Sequence, residues 1–253
     1  LSIVNMCIAQ NFVWNKVYGG SQSDFLYDFI ESGSKNYIYL HCNTFNPFGN
    51  SNYAKIKIND TSLTKNQKNS DWLIKIDTEG NFLWGKAIFE TFGLGSASFI
   101  SDTDDNIYMF FYFDDARDSI KLTSNSKLYK LHPNVVSTTY IVKFDKYGSF
   151  IWDNYIDDLS FPNNKSFTII DNMIYFVLGS RSKKAIKFLS DSIYDSKTII
   201  KMDTSGNFIS NYDLGKGIYF HVPNIYKEND SLIVFLNLYP SDYKNKNHQI
   251  NFN

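Results

Sequence analysis

The sequence predicts an all-β protein: a β-propeller of four-stranded antiparallel blades, with about three and a half blades in the 253-residue chain. Three observations predict it. Aromatic residues make up 17% of the chain (18 Tyr, 22 Phe, 4 Trp), and aromatics suit a pleated, half-buried surface. Apolar residues alternate in short runs between polar turns, and helical periodicity is nearly absent. Above all, three sequence markers return in the same order at the same long period.

The unit opens with a short apolar run, "DFI" (28–30), "SFI" (98–100), "FTII" (167–170) and "PNIY" (223–226). A polar turn follows, and then the first marker: "NYIYL" (36–40), "NIYMF" (106–110), "MIYFV" (173–177) and "SLIVF" (231–235). Tyr39, Tyr108, Tyr175 and Val234 are separated by 69, 67 and 59 residues. The second marker is "KIKIND" (55–60), "SIKLTS" (119–124), "AIKFLS" (185–190) and "QINFN" (249–253), inside a variable insertion.

The third marker is a hairpin. "DWLIKIDTEGNFLW" (71–84), "TYIVKFDKYGSFIW" (139–152) and "KTIIKMDTSGNFIS" (197–210) each hold Lys-x-Asp-x-x-Gly between two apolar runs. Asp bonds nearby backbone in turns, and Gly supplies the positive φ of a tight reversal. The four core strands of a unit are thus the opening run, the "IY" strand, the "IKxD" strand and the "NFxW" strand. A solenoid uses shorter repeats, and a sandwich does not repeat three markers in register. The repeat phase makes Trp14, Trp84 and Trp152 wedges between neighbouring blades, and Ser210 replaces the wedge in the third unit.

The first "NFVW" (11–14) precedes every other marker, so the chain opens on the outer strand of a blade. After "INFN" the next hairpin is missing. The reading is a fragment of a longer ring, with the propeller over 11–253. Residues 1–10, "LSIVNMCIAQ", read as the tail of a secretory signal peptide cut ahead of Gln10; the alternative is an ordinary first strand. If the leader is removed, Cys42 stays behind alone as a small buried hydrophobe.

The pattern of Trp14–Gly20 with Asp24, of Asp71–Trp84 and of Thr139–Trp152 resembles the long propeller repeats of secreted Bacteroidetes proteins, of the kind classed as SBBP-like. The resemblance implies a secreted or cell-surface protein, often cargo of type IX secretion. It carries little about activity. "DSI" (118–120 and 191–193) and "DSL" (230–232) resemble the short O-glycosylation sequon of that phylum, but three-residue matches are weak and surface turns explain them better. The sialidase-type Asp box fails on spacing. The tryptophan-docking pattern of quinoprotein propellers matches from Gly80 to Trp84 only, which supports a structural Trp84 and no quinone.

No constellation for chemistry emerges. Net charge is −1 with no basic stripe, which excludes the electrostatic footprint of nucleic-acid binding. No apolar run is long enough for a membrane-spanning helix. His41, His132, His221 and His248 lack metal-ligand spacing. Two arginines, Arg117 and Arg181, cannot build an arginine triad. "DTDDN" (102–106) has calcium-loop spacing at Asp102, Asp104 and Asn106, but it lacks the Gly and the closing Glu and falls where every unit has a turn. Asp114 and Asp115 would face opposite ways on a strand, so a solvated loop is the better reading; "IDD" (156–158) reads the same way. "GLGSAS" (93–98) leads into a strand, which removes a helix N-terminus for phosphate.

No catalytic, cofactor-binding or metal residue is therefore assigned. The expected function is a non-catalytic scaffold that binds a protein or glycan through loops at one face. The rival is the propeller part of a carbohydrate-active hydrolase or lyase, with its site at the channel mouth. A polar, acidic cluster that breaks the repeat would favour the rival.

Overall fold

A computed structural model describes residues 18–19, 23–45, 54–58, 61–65, 69–91, 97–115, 119–157, 159–160, 167–180, 186–188, 191–193, 196–216, 224–228 and 231–235. Every regular element among them is a strand. The leader-like residues 1–10, Trp14, Arg117, Arg181, His221, His248 and the "INFN" segment lie outside the described residues.

In chain order, β1 (Tyr18–Gly19) comes first. The first unit holds β2 (Ser23–Glu31), β3 (Tyr37–Phe45), the inserted pair β4 (Ala54–Ile58) and β5 (Thr61–Lys65), then β6 (Asn69–Asp77) and β7 (Phe82–Thr91). The second holds β8 (Ala97–Ser101), β9 (Ile107–Phe113), the inserted pair β10 (Ser119–Leu122) and β11 (Leu128–Lys130), then β12 (Thr138–Phe144) and β13 (Phe150–Asp157). The third holds β14 (Leu159–Ser160), β15 (Phe167–Ile170), β16 (Met173–Ser180), the inserted pair β17 (Ile186–Phe188) and β18 (Asp191–Ile193), then β19 (Ser196–Asp203) and β20 (Phe208–Lys216). A last hairpin joins β21 (Asn224–Glu228) to β22 (Ser231–Phe235).

Each unit makes one antiparallel sheet in simple up-and-down order. The sheets are β2-β3-β6-β7, β8-β9-β12-β13 and β15-β16-β19-β20. β14 pairs the far end of β16 and fills the edge that β15 leaves short. The first strands follow one another in space: β2 lies beside β8, β8 beside β15, and β15 beside β21. Four-stranded antiparallel sheets in this arrangement are compatible with propeller blades.

The sheets pack face to face, and period-two alternation sorts the side chains. On β9, Met109, Phe111 and Phe113 enter the core shared with the first sheet, beside Tyr39, Leu73 and Phe89. Tyr108 and Phe110 enter the core shared with the third sheet, beside Ile174, Phe176 and Met202. This is why "IYMFFYF" is one unbroken apolar run: both faces are covered. Phe89 meets Phe111 edge-on at 5.3 Å, and Phe110 stacks on Phe167 at 4.3 Å. Such pairs add about 0.5–1.5 kcal/mol each beyond burial.

The three hairpin turns share one construction. Asp77 Oδ1 accepts the N–H groups of Glu79 and Asn81, Asp145 Oδ1 those of Tyr147 and Ser149, and Asp203 Oδ1 those of Ser205 and Asn207. Gly80, Gly148 and Gly206 take φ of +78°, +72° and +92°, where a Cβ is costly. Burial pushes the Asp203 carboxyl up, but hydrogen bonds from Asn207, Ser205 and Gly206 together outweigh it and hold the group below its usual range. The return strand then bulges: Lys75 pairs Trp84 while Ile76 pairs Phe82, so Leu83 is the extra residue. Ile151 and Ile209 are extra in the same way. All three point to solvent, at 45–47% exposure.

The insertions were expected as part of their own unit. Instead β10 pairs β7 of the preceding sheet, with Ile120 opposite Thr91 and Leu122 opposite Phe89. Likewise β4 pairs β1. The first sheet is thereby extended to six strands, β11-β10-β7-β6-β3-β2.

Candidate functional site

The junction between the first and second sheets concentrates the polar groups. At the turn end of the sheets three residues recur per unit: Tyr39, Lys75 and Trp84 at this junction, and Tyr108, Lys143 and Trp152 at the junction with the third sheet. The ring of Tyr39 lies 6.2 Å from Trp84, and that of Tyr108 lies 6.1 Å from Trp152. The lysines stack on the tyrosines, with Lys75 Nζ 5.1 Å from Tyr39 and Lys143 Nζ 4.9 Å from Tyr108. Burial lowers both lysines below their ordinary value. Burial raises Tyr39, helped by Asp105, and raises Tyr108, whose hydroxyl donates to Asp102 Oδ2 at 2.8 Å.

Trp84 and Trp152 are wedges. Trp84 lies against Gly148 of the next sheet, and Trp152 against Gly206. Trp152 Nε1 and Lys143 Nζ both donate to the Thr204 carbonyl, and Asn154 Nδ2 donates to the Gly206 carbonyl. In the third unit Lys201 still lies over Tyr175, at 5.8 Å, with Ser210 in the place of the indole.

"DTDDN" is a turn of the same design as the hairpins. Asp102 Oδ1 accepts the N–H groups of Asp104 and Asn106, and Oδ2 accepts Asn106 Nδ2 and the Tyr108 hydroxyl. Asp105 takes the positive-φ place of glycine, at +63°. Its carboxylate accepts Ser34 N–H and hydroxyl, and its carbonyl accepts the Tyr39 hydroxyl. These oxygens tie one sheet to the next. Gly33 packs so closely on the Asp102 carbonyl that a side chain there would overlap it.

The inserted hairpins act as spacers between sheets. β10–β11 bonds to β7 by backbone and to β13 by side chains: Tyr129 hydroxyl and Lys127 Nζ both reach Asp153. In the preceding unit Leu63 of β5 packs against Gly85 of β7, the position equivalent to Asp153. Sequence reasoning missed this, because a contact between Leu63 and a glycine leaves no motif.

Two polar groups depart from the repeat. His41, Asn43 and Asp71 stand where the second unit has Phe110, Tyr112 and Thr139. Asn43 Nδ2 donates to Asp71 Oδ1 at 2.9 Å, and His41 Nε2 lies 3.5 Å from the same oxygen. All three are sealed from solvent. The second group is His132, Thr138, Tyr140 and Asp157. His132 Nδ1 lies 2.9 Å from Asp157 Oδ1, Nε2 lies 2.8 Å from the Tyr140 hydroxyl, and Thr138 donates to Asp157 Oδ1. Both ring nitrogens are therefore engaged. Burial raises Tyr140 to about 12.

The remaining sequence candidates fall apart in space. Asp114 is exposed just past the end of β9, in a loop as read. Cys42 is buried in a cluster with Leu40, Trp72 and Ile74. Ser98 of "GLGSAS" is in strand β8. Among the described residues no group of three His, Cys, Asp or Glu could hold a metal ion, and no helix is long and apolar enough to cross a membrane.

One cleft opens at the same junction. Its volume is about 420 Å³, and it lies between Lys86 of β7, the β10–β11 turn at Thr123–Asn125, and the Gly148–Phe150 end of the second hairpin.

No family model matches the chain. One curated relative is an uncharacterized WD repeat-containing protein, L264, of Acanthamoeba polyphaga mimivirus. It is 26% identical over 149 residues, 56% of this chain and 11% of that protein. The match thus spans about a tenth of the relative's length. WD repeats form four-stranded propeller blades. The chain is a β-rich repeat protein that resembles a WD-repeat protein.

Proposed function

We propose that the chain is part of a secreted or surface-displayed β-propeller, of the long-blade kind of secreted Bacteroidetes proteins, that binds a protein or glycan without transforming it. The observation that carries this reading is the state of the groups that break the repeat. His41, Asn43 and Asp71 are sealed in a sheet junction, and both nitrogens of His132 are held by Asp157 and Tyr140. Catalysis would need such groups open to a substrate and within hydrogen-bond reach of it. The junctions are instead cross-tied by the Ser34–Asp105, Trp152–Thr204 and Asn154–Gly206 bonds, which suits a rigid frame that presents side chains at its edges. The leader-like residues 1–10 support export.

The test is a binding screen with a chemical readout in parallel. The immobilised chain is exposed to arrays of peptides and of bacterial and plant polysaccharides, while reducing-sugar release is followed in solution. Saturable binding with no product is the expected result. Release of product that His132→Ala abolishes would replace the scaffold by an enzyme.

A further inference from the structure

We propose that the cleft between the first two sheets binds a short acidic–apolar peptide segment, with the Lys86 ammonium receiving its carboxylate. The proposal rests on the reading of the chain as an interaction module, and it names one site and one ligand class for it.

Two junctions between sheets are built on the same plan. Between the second and third sheets, Asn154 of β13 reaches across and donates to the Gly206 carbonyl at 2.9 Å. Its neighbour across the junction, Asn207, closes its own turn by donating to Asp203 Oδ2 at 2.8 Å. The equivalent residues of the first junction are Lys86 and Ser149. Ser149 is too short to repeat the side-chain bond of Asn207; its backbone pairs with Asp145, the N–H donating to Oδ1 and the carbonyl accepting the Asp145 N–H. The Lys86 stem lies on Gly148 and its ammonium runs outward, 6.0 Å from the Trp84 ring. At the first junction, then, Lys86 and Ser149 do not repeat the cross-junction bond of Asn154 or the side-chain closure of Asn207, and the cleft lies beside both positions.

The cleft has unbalanced charge. Nearby lysines are occupied: Lys121 by Glu90, Lys127 by Asp153, and Lys143 by the Thr204 carbonyl. Lys86 has no ion pair among the described residues and is exposed at the rim. Half-buried Ala87 and Phe150 give the wall apolar character, and Ser124, Asn125 and Ser149 add polar groups at the rim. A carboxylate beside an apolar side chain complements this lining.

The probe is a set of blocked hexapeptides carrying one Glu next to Leu or Phe, with Gln-for-Glu controls and oligogalacturonate as a third arm. Binding is read from the backbone amide shifts of Ser124, Asn125 and Ser149. The Glu peptides are expected to shift these amides and saturate, with at least tenfold weaker binding by the Gln controls and by Lys86→Gln. The double substitution Lys86→Asn with Ser149→Asn, which rebuilds the sister junction, is expected to abolish binding with the thermal midpoint maintained. Equal binding of Glu and Gln peptides, or no shift at these amides, overturns the proposal. Preference for oligogalacturonate overturns the peptide assignment. In each case saturable binding elsewhere in the array screen leaves the interaction-module reading standing, and its absence there removes that reading separately.

Discussion

The indole of Trp84 rests on Gly148 of the following sheet: a Cβ on that glycine would lie 3.0 Å from the ring atom Cη2. Gly148 is thus demanded twice, once by its φ of +72° and once by the indole. Gly148→Ala should destabilise by about 2–4 kcal/mol, combining a left-handed backbone with forced displacement of the ring. Trp84→Ala should cost about 3 kcal/mol, at the low end for tryptophan because the side chain is only half-buried. The pair should be less than additive in urea unfolding, since both changes break one contact. Full additivity would mean that the wedge does not couple the sheets.

Leu63 and Gly85 provide a second coupled pair. A methyl group on Gly85 would collide with the Leu63 side chain. Gly85→Ala should cost about 1–3 kcal/mol by overpacking. Leu63→Ala should remove most of that penalty, because it vacates the space. Measured midpoints in which the double variant falls below both single variants would show that the spacer hairpin is seated elsewhere.

The Asp153 carboxylate clasps the other spacer hairpin. Asp153→Ala leaves the buried Tyr129 hydroxyl without its acceptor, at a cost of about 1–3 kcal/mol. Tyr129→Phe should cost only about 1 kcal/mol, and adding it to Asp153→Ala should recover part of the loss. Lys127, half exposed, should contribute less than about 1 kcal/mol. Chemical denaturation of the four variants checks the cycle.

Alkaline pH should unfold the protein in a defined window. Tyr39, Tyr108, Tyr129 and Tyr140 all have raised values, chiefly from burial. In the unfolded chain tyrosine ionises near pH 10. The stability these groups provide is therefore complete below about pH 10 and lost as pH rises through the folded values, of which Tyr140 is about 12. Tyrosinate absorbance should rise in two stages, the second coinciding with loss of near-ultraviolet circular dichroism. A single stage near pH 10 with the fold intact would show that these hydroxyls are solvated.

Much of this frame was legible in the sequence because its causes are local. The Asp-x-x-Gly hairpins follow from turn chemistry, and every described marker run is a strand. Trp84 and Trp152 were readable as wedges from their phase alone. The cross-sheet positions were not readable. Nothing near Ile120 announces that β10 adds to the preceding sheet, and nothing near Leu63 announces Gly85. His132 and Asp157 are 25 residues apart and meet only because the insertion folds back on β13.

The sequence by itself determined the strand, the turn and the repeat, since these depend on alternation, on Asp and Gly at fixed offsets, and on period. Only the tertiary structure decided which edges pair, which carboxylates are satisfied and where a cleft remains. Those outcomes depend on how neighbouring sheets fit together. At that fit, Lys86 and Ser149 stand where the sister junction has Asn154 bonded across it and Asn207 closing its turn, and a cleft lies beside them.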